Sequence, residues 1–236
     1  MSEESEAAAP PTAREKTSFV FGVSGHRDLV RTDLPALGKQ LRDVFDRFMS
    51  VYRGAEFQLL TPLAEGADRA AAEVALAVGI PLVVPMPMPR EEYERDFANA
   101  DSLADFRRLL AAAASNFELP GTDLDGVSLS DNTARTARYA AVGDYIAQRS
   151  NVLILLWDGQ VNEKVGGTAW VKMRREELVS RGSTGAGKVN RPGYLPTIHI
   201  VTPRQRTIEI GGVRPRIEVI GELPSVASQA DVRSKL

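Results

Sequence analysis

Short apolar runs that end in glycine and charged residues recur along this chain. The first, residues 19–28, reads FVFGVSGHRD and is too short and too rich in β-branched and aromatic residues for a buried helix. Similar runs begin near residues 57, 81, 151 and 197, and stretches with apolar residues at three- and four-residue steps lie between them. Strands that alternate with helices predict an α/β fold with a Rossmann-like, doubly wound and mainly parallel sheet.

The pattern predicts five strands, one of them central and one of them with restricted pairing. Residues 151–158 (NVLILLWD) are the most apolar run, which favours a central strand. Prolines within residues 81–88 place that strand at an edge or confine its pairing to the first half. Residues 91–114 have helical spacing with an interruption near 99–102, and residues 208–213 and 217–220 resemble an antiparallel hairpin at the end of the chain.

The length of 236 residues suits one sizeable domain. Residues 1–16 are acidic and rich in alanine and proline, so we expect a disordered lead-in. Residues 17–222 are expected to form the single domain, and residues 223–236 a loose tail. A segment rich in glycine, aspartate and serine, residues 120–132, is long enough for a lid or a mobile insertion.

Composition excludes several classes of function. The chain has no cysteine, which rules out disulfides, thiolate metal sites and cysteine nucleophiles and fits a reducing cytoplasm. Only two histidines occur, one of them inside a predicted strand, so no metal site is expected. No stretch is long and apolar enough to cross a membrane. A net charge of −2 argues against a broad basic surface for nucleic acid and makes nucleic acid an unlikely partner, but it leaves a local basic pocket open.

Doubly wound sheets bind ligands at the carboxyl ends of their strands, near the point where the strand order reverses. The loops that follow the predicted strands therefore supply the candidate site. Its predicted ligand-binding residues are Ser24, Gly25, His26, Arg27, Glu65, Gly66, Asp68, Arg138, Asp158, Gly166, Gly167 and Thr168.

Two of these features point to an anion. Gly166, Gly167 and Thr168 begin a predicted helix, whose free N–H groups and positive dipole end form a natural cradle for a phosphate. A plain glycine turn with Thr168 as N-cap explains the same residues. Arg135 and Arg138 lie in the first turns of the helix before the central strand, where they oppose the helix dipole unless an anion is near. Arg138 lies beside the apolar stripe and is the sharper candidate, although its stem can also simply cover apolar surface.

The polar side chains after the first two strands fit both binding and structural roles. Arg27 can hold a phosphate or carboxylate with its planar fork. His26 fits a ligand contact or a hydrogen-bonded structural role. Glu65 and Asp68 can hold ribose hydroxyls, act as acid and base, or cap the helix that begins there. Trp157, at the end of the central strand, suits stacking on a base or packing in the core.

Residues 182–188 (GSTGAGK) nearly match the phosphate-binding loop of nucleotide hydrolases. The match fails because Val189 replaces the magnesium-binding Ser or Thr, and because a helix precedes the segment where a strand is required. The residues that follow, NRPG, also cannot begin the required helix. We therefore expect a flexible loop here.

Taken together, the segments GVSGHR (22–27), LAEGAD (63–68), VLILLWD (152–158) and GGT (166–168), with the arginine-bearing helix, resemble the SLOG superfamily. This group of Rossmann-like domains includes the Lonely Guy phosphoribohydrolases, the DprA DNA-processing proteins, and nucleotide-sensing modules of bacterial conflict systems and TRPM channels. The resemblance covers about residues 19–202. It implies a pocket for a nucleotide-like ligand, often completed by a homodimer.

Enzymatic members of the superfamily cleave the N-glycosidic bond of nucleoside monophosphates. They use an arginine on the helix before the central strand and a glutamate three residues after the threonine of their glycine-rich motif. Arg138 resembles that arginine in placement, but the glutamate position, counted from Thr168, holds Val171. Valine cannot handle a proton or stabilise a cationic ribosyl transition state, so the resemblance does not carry the hydrolase mechanism over.

The chain is therefore predicted to be a bacterial, cytoplasmic domain that binds or senses a nucleotide or a nucleotide-derived ligand, NAD-related or cyclic. A binding role is favoured over a catalytic one, and no cofactor is expected. The resemblance implies a homodimer or higher homo-oligomer, and signalling would require a separate effector protein. The alternative is a nucleoside monophosphate N-glycosidase of Lonely Guy type that uses Arg138, Glu65 and Asp68. A third alternative is a scaffold that has only inherited the fold.

Overall fold

Strands and helices alternate through the part of the chain that the computed structural model describes, residues 17–120, 132–161, 165–180, 196–209 and 215–224. The strands are β1 (Ser18–Gly25), β2 (Glu56–Leu60), β3 (Leu82–Met86), β4 (Ser115–Glu118), β5 (Val152–Trp157), β6 (Thr197–Val201) and β7 (Val219–Ile220). The helices are α1 (Leu34–Val51), α2 (Ala67–Ala77), α3 (Arg90–Glu94), α4 (Ala100–Ala112), α5 (Asn132–Arg149), α6 (Thr168–Ser180) and α7 (Gln205–Glu209).

The seven strands form one sheet in the order β4-β3-β2-β1-β5-β6-β7. All neighbouring strands are parallel except β7, which runs antiparallel to β6. The chain moves outward from β1 to β4 and then crosses through α5 to the other side of β1. The strand order therefore reverses between β1 and β5, and the carboxyl ends of these two strands mark the expected position of a ligand.

The α/β class and the mainly parallel sheet are confirmed, but the sheet has seven strands and not five. β4 is missing from the prediction because it is only four residues long, mostly exposed, and without apolar alternation. β3 is not an edge strand, since it lies between β2 and β4. Its pairing with β2 ends at Val83, before Pro85, which has no N–H to donate. The pairing of β3 with β4, in contrast, continues through Pro85 to Met86, so the restricted pairing applies to the β2 side alone.

The C-terminal antiparallel pair is present, but the strand that pairs with β7 is β6 and not residues 208–213. β7 pairs with β6, where His199 lies opposite Ile220 and Ile200 opposite Val219. Ile208, expected in the first strand of the hairpin, lies in α7, and residues 210–214 are outside the described part. Short apolar runs of this kind do not distinguish a helix from a strand by periodicity alone.

Several other expectations are confirmed. The helical stretch near residues 91–114 divides into α3 and α4, and Asn99, the N-cap of α4, accepts a hydrogen bond from the Ser102 backbone N–H at 2.9 Å. β5 is an internal strand, and all of its residues are buried. The lead-in, the tail from residue 225, most of the 120–132 loop and the segment 182–188 lie outside the described residues.

Two layers of helices cover the sheet, and β5 shows how they divide the core. Ile154 and Leu156 join the buried cluster under α1 and α2, whereas Leu155 and Trp157 join the cluster under α5 and α6. This alternation follows from the two-residue period of a strand. Among the described helices, none is long and apolar enough to span a bilayer.

Gly25 ends β1 at a point where neighbouring segments leave no room for a side chain. A Cβ atom there would collide with the Leu156 carbonyl oxygen and with the Ala67 side chain. We therefore expect Gly25→Ala to lower the free energy of unfolding by about 1–3 kcal/mol, measured by urea denaturation. Gly54→Ala is the matched control, because a Cβ atom at Gly54 meets nothing within 4 Å and should change stability by less than about 0.5 kcal/mol. Equal effects of the two substitutions would contradict this packing.

Candidate functional site

A cavity of about 460 Å³ opens at the carboxyl ends of β1 and β5, between the first turns of α2, α5 and α6. Its position coincides with the reversal of the strand order. Most of the residues predicted for the site line this cavity: Ser24, Gly25, His26, Arg27, Asp68, Gly166, Gly167 and Thr168.

The remaining predicted residues lie outside the cavity wall: Glu65, Gly66, Arg138 and Asp158. Arg138 lies on α5, and its Nε and Nη1 atoms are buried without a hydrogen-bond partner in the described part of the chain. The face of α5 that lines the cavity carries Arg135 and Tyr139 instead. The sequence places Arg138 beside an apolar stripe that includes Ala134, Ala137 and Ala141, and the cavity-lining face of the helix is rotated away from that position.

The segment 65–69 (EGADR) divides its side chains between the cavity and α4. Glu65 accepts hydrogen bonds from the Ala98 backbone N–H, at 3.1 Å, and from the Ser102 hydroxyl. Arg69 donates through Nη1 to the Ser102 carbonyl oxygen at 2.8 Å. Both side chains thus fix the start of α4, and Asp68 between them turns to the cavity. Glu65 was expected at the cavity, but its carboxylate contacts the start of α4.

His26 connects β1 to β5 and to α2 at the mouth of the cavity. Its backbone N–H donates to the Leu156 carbonyl at 2.9 Å, and its carbonyl accepts the Ala67 N–H at 2.9 Å. The ring Nε2 accepts the Asp158 backbone N–H at 2.8 Å and also lies 3.2 Å from the Asp158 carboxylate. Burial lowers the pKa of His26 and outweighs the opposing effects of the Asp158 and Asp28 carboxylates. The neutral ring therefore joins two strand ends.

Two glycines in the left-handed region hold turns close to their neighbours, Gly66 behind the cavity wall and Gly166 in it. Gly66, with φ of 78°, lies against the carbonyl groups of His26 and Arg27, where a side chain would collide. Gly166, with φ of 76°, begins the turn before α6, and a Cβ atom there would lie 3.0 Å from the Ala140 nitrogen. Because glycine adopts positive φ at no steric cost, these two positions let the turns approach their neighbours closely.

The first turn of α6 presents backbone donors to the cavity. The first N–H groups of a helix have no partner within the helix. Those of Gly167, Thr168 and Ala169 donate to no other group in the described part of the chain. All three residues line the cavity at the positive end of the helix dipole. This arrangement suits an anion such as a phosphate.

Three arginines line the cavity, and they differ in whether they form an ion pair. Arg135 and Arg204 each form an ion pair with an aspartate. Arg27 forms no ion pair with any residue that the structure describes. Its guanidinium lies over the ring of Tyr139, 5.2 Å from the ring centroid. Arg27 is therefore the cavity arginine whose charge is not offset by a paired carboxylate.

Sequence reasoning missed several polar residues of the cavity wall: Tyr93, Asp96, Tyr139 and Arg204. Tyr139 donates to the Asp96 carboxylate, which also binds Arg135, and burial raises the pKa of Tyr139 to about 12. Tyr139 lies one helical turn after Arg135, so helical spacing from Arg135 would have found it. Arg204 follows β6 and donates through Nε to Asp28 at 3.0 Å. The rule that points to strand ends, applied to the 197–202 strand, would have included it.

Asp68 is a buried carboxyl group in the cavity wall. The residue is 5% exposed, and its Oδ2 accepts the Ala64 backbone N–H at 3.2 Å. Burial raises the pKa of Asp68 to about 7, against the opposing effects of that N–H and of Arg27 and Arg69. At neutral pH this carboxyl group can therefore either donate or accept a hydrogen bond.

The raised pKa of Asp68 makes stability depend on pH in a defined direction. Between the ordinary value of 3.8 and about 7, the folded protein holds a proton that the unfolded chain lacks, so this contribution is complete at low pH and is lost as pH rises through about 7. Asp68→Asn cannot ionise. Its unfolding free energy relative to the parent should therefore rise by about 2–3 kcal/mol from about pH 5 to about pH 8, measured by urea denaturation.

Asp46→Asn, an exposed aspartate on α1, is the matched control for this measurement. Its stability relative to the parent should stay constant over the same pH range. A constant difference for Asp68→Asn as well would show that Asp68 ionises as it does in the unfolded chain.

No protein-family model and no curated protein matches this chain. Among solved structures, it is similar to DNA processing protein A (DprA) from Streptococcus pneumoniae, with 16% identity and a TM-score of 0.44. That match covers 68% of this chain and 47% of the other, so the chain spans about half the length of the pneumococcal protein. DprA from Helicobacter pylori matches with 15% identity and a TM-score of 0.34, over 71% and 74% of the two chains.

Both matches are DNA processing protein A, a group that the sequence resemblance names. The expectation that nucleic acid is an unlikely partner is wrong as stated: the similar protein from Helicobacter pylori has a single-stranded DNA binding mode. Net charge averages over the whole chain, whereas a nucleic acid contacts a local surface. A value of −2 therefore does not exclude such a partner.

Proposed function

We propose that the cavity binds a nucleotide or a nucleotide-derived ligand through its phosphate group. The observation that carries this proposal is the convergence of two anion-binding elements on Tyr139. Arg27 lies over the ring of Tyr139, and Gly166 lies against its backbone and Cβ atom. A phosphate beside Tyr139 would therefore meet both the free N–H groups of α6 and the charge of Arg27.

The balance of charge in the cavity supports an anionic ligand. Its wall contains three arginines and two aspartates, of which Asp68 has a pKa of about 7 and is only partly ionised at neutral pH. The Asp96 carboxylate accepts hydrogen bonds from Arg135 and Tyr139, so its negative charge is offset by Arg135. The remaining positive charge belongs mainly to Arg27, and its effect is stronger in a partly buried cavity than in water.

The size of the cavity suits a small-molecule ligand, and Val171 favours binding over catalysis. A volume of about 460 Å³ falls in the range typical of small-molecule sites. Val171, which occupies the glutamate position of the enzymatic SLOG motif, is buried in the cavity wall. We infer that residues 17–222 act as one Rossmann-like domain that binds or senses its ligand, of the NAD-related or cyclic nucleotide class.

Arg27 provides the most direct test of phosphate binding. Arg27→Ala should weaken the binding of adenosine 5′-monophosphate by about tenfold or more, measured by isothermal titration calorimetry, because a charge-assisted hydrogen bond is lost. Arg149→Ala is the matched control. Arg149 also lies over a tyrosine ring, 5.6 Å from the centroid of Tyr145, but at the opposite end of α5. Its removal should leave the affinity unchanged.

The same titration should include NAD, a cyclic dinucleotide and a short single-stranded oligonucleotide. Preference for one of these phosphates would identify the class of ligand. The proposal fails if none of them binds at millimolar concentration, or if Arg27→Ala and Arg149→Ala weaken binding equally.

Asp68 favours a second candidate function, the nucleoside monophosphate N-glycosidase. A buried carboxyl group with a pKa of about 7 in a cavity is suited to act as a general acid. Incubation with purine and pyrimidine nucleoside monophosphates, followed by chromatography for free base, tests this role. Release of base that Asp68→Asn abolishes would establish the enzyme, and no release would remove it.

A further inference from the structure

The side chain of Tyr139 connects three polar features of the cavity wall. At its backbone end, a Cβ atom at Gly166, just before α6, would lie 3.3 Å from the Tyr139 Cβ atom. Arg27 lies over the ring, with its guanidinium carbon 5.2 Å from the centroid. At the far end, the Tyr139 hydroxyl donates to Oδ2 of Asp96. The start of α6, Arg27 and Asp96 therefore follow one another along the length of one tyrosine side chain.

Asp96 is held in place by residues of α3 and α5. Its Oδ1 accepts a hydrogen bond from Nη2 of Arg135, and its Oδ2 accepts the one from Tyr139. The backbone N–H of Asp96 donates to the Tyr93 carbonyl at 3.1 Å. Nη2 of Arg135 also donates to the Glu92 carbonyl at 3.2 Å, which fixes the guanidinium beside Asp96. These bonds orient the Asp96 carboxylate before a ligand binds.

The Asp96 carboxylate retains two acceptor sites. A carboxylate has about four lone-pair sites, two on each oxygen. In the described part of the chain, Arg135 and Tyr139 are its donors, one on each oxygen. The Asp96 side chain is 20% exposed and lines the cavity, so a ligand there can reach both oxygens. Two oxygens of one carboxylate that can each accept one more hydrogen bond suit a vicinal diol.

The position of Asp96 along Tyr139 matches the dimensions of a ribonucleotide. In a 5′-nucleotide, the phosphate and the 2′,3′ diol lie at opposite ends of the pentose, separated by about the length of a tyrosine side chain. A phosphate at the start of α6 would therefore place the diol near the Tyr139 hydroxyl and its partner Asp96. The other aspartate of the wall, Asp68, is only 5% exposed and is the less accessible of the two.

We propose that Asp96 accepts hydrogen bonds from the 2′- and 3′-hydroxyl groups of the ligand, and that the site selects ribonucleotides over nucleotides without these groups. This proposal rests on the proposed function, because it requires a phosphate at the start of α6. It assigns to Asp96 the recognition of the sugar, a role that the sequence offers to Glu65 and Asp68.

The test compares two probes that share a phosphate and a base but differ in the sugar, adenosine 5′-monophosphate and 2′,3′-dideoxyadenosine 5′-monophosphate. The parent protein should bind the ribonucleotide at least about tenfold more tightly, measured by isothermal titration calorimetry, because hydrogen bonds to a charged acceptor are lost in the dideoxy probe. Asp96→Asn keeps the shape of the side chain and removes its charge. It should reduce this preference to about threefold or less.

Asp144→Asn is the matched control. Asp144 also lies on α5 or against it as an arginine partner, accepting Nε of Arg174 at 2.7 Å, but it is outside the cavity wall. Its substitution should leave both affinities unchanged. Asp96→Glu is a second variant, which keeps the charge beside Arg135 and moves the carboxylate oxygens by one methylene. It should also narrow the preference, and it carries the test if Asp96→Asn does not fold.

The outcomes separate the two proposals. Equal affinities of the parent protein for the two probes would overturn the recognition of the sugar and leave phosphate binding intact. If Asp96 only ties α3 to α5, its substitution would weaken both probes by the same factor and leave the preference unchanged, which would also overturn the proposal. If neither probe binds the parent protein, the phosphate site fails and the role of Asp96 fails with it.

Discussion

The hydrogen bonds of His26 join the carboxyl end of β1 to β5 and α2, and the cavity lies at this junction. The backbone of this residue binds Leu156 of β5 and Ala67 of α2, and its neutral ring accepts the Asp158 N–H. These bonds fix the carboxyl end of β1 against the strand on the other side of the reversal in strand order. The next residue, Arg27, is thereby directed over Tyr139. Of the two roles that the sequence leaves open for His26, these hydrogen bonds supply the structural one, and His26 also lines the cavity.

Two features that suit an anion lie beside the same tyrosine. Arg27 lies over the ring of Tyr139, and Gly166, which precedes the free N–H groups of α6, lies against the backbone of Tyr139. Helices that begin at one edge of a parallel sheet produce this arrangement, because each helix leaves its free N–H groups at that edge and buries its apolar face against the sheet.

Sequence patterns could predict the alternation of strands and helices, the edge at which the cavity lies, and the glycine turn of α6. They could not predict β4, which has no apolar pattern, or the partner of β7, which depends on contacts distant in sequence. They also placed Arg138 toward the ligand because small alanines leave the phase of α5 poorly defined, and the structure turns Arg135 and Tyr139 there. They could not show that Glu65 contacts the Ser102 hydroxyl, because Ser102 lies on a helix distant in sequence.

The central claim is that a phosphate binds at the start of α6 beside Arg27. Its most direct measurement is a ¹H–¹⁵N correlation spectrum of labelled protein titrated with adenosine 5′-monophosphate at constant pH. We expect the amide signals of Gly167 and Thr168 to shift with saturation, while that of Gly79, at the distant end of α2, stays in place. Saturable shifts that leave Gly167 and Thr168 unchanged, or no shifts at all, would contradict the account.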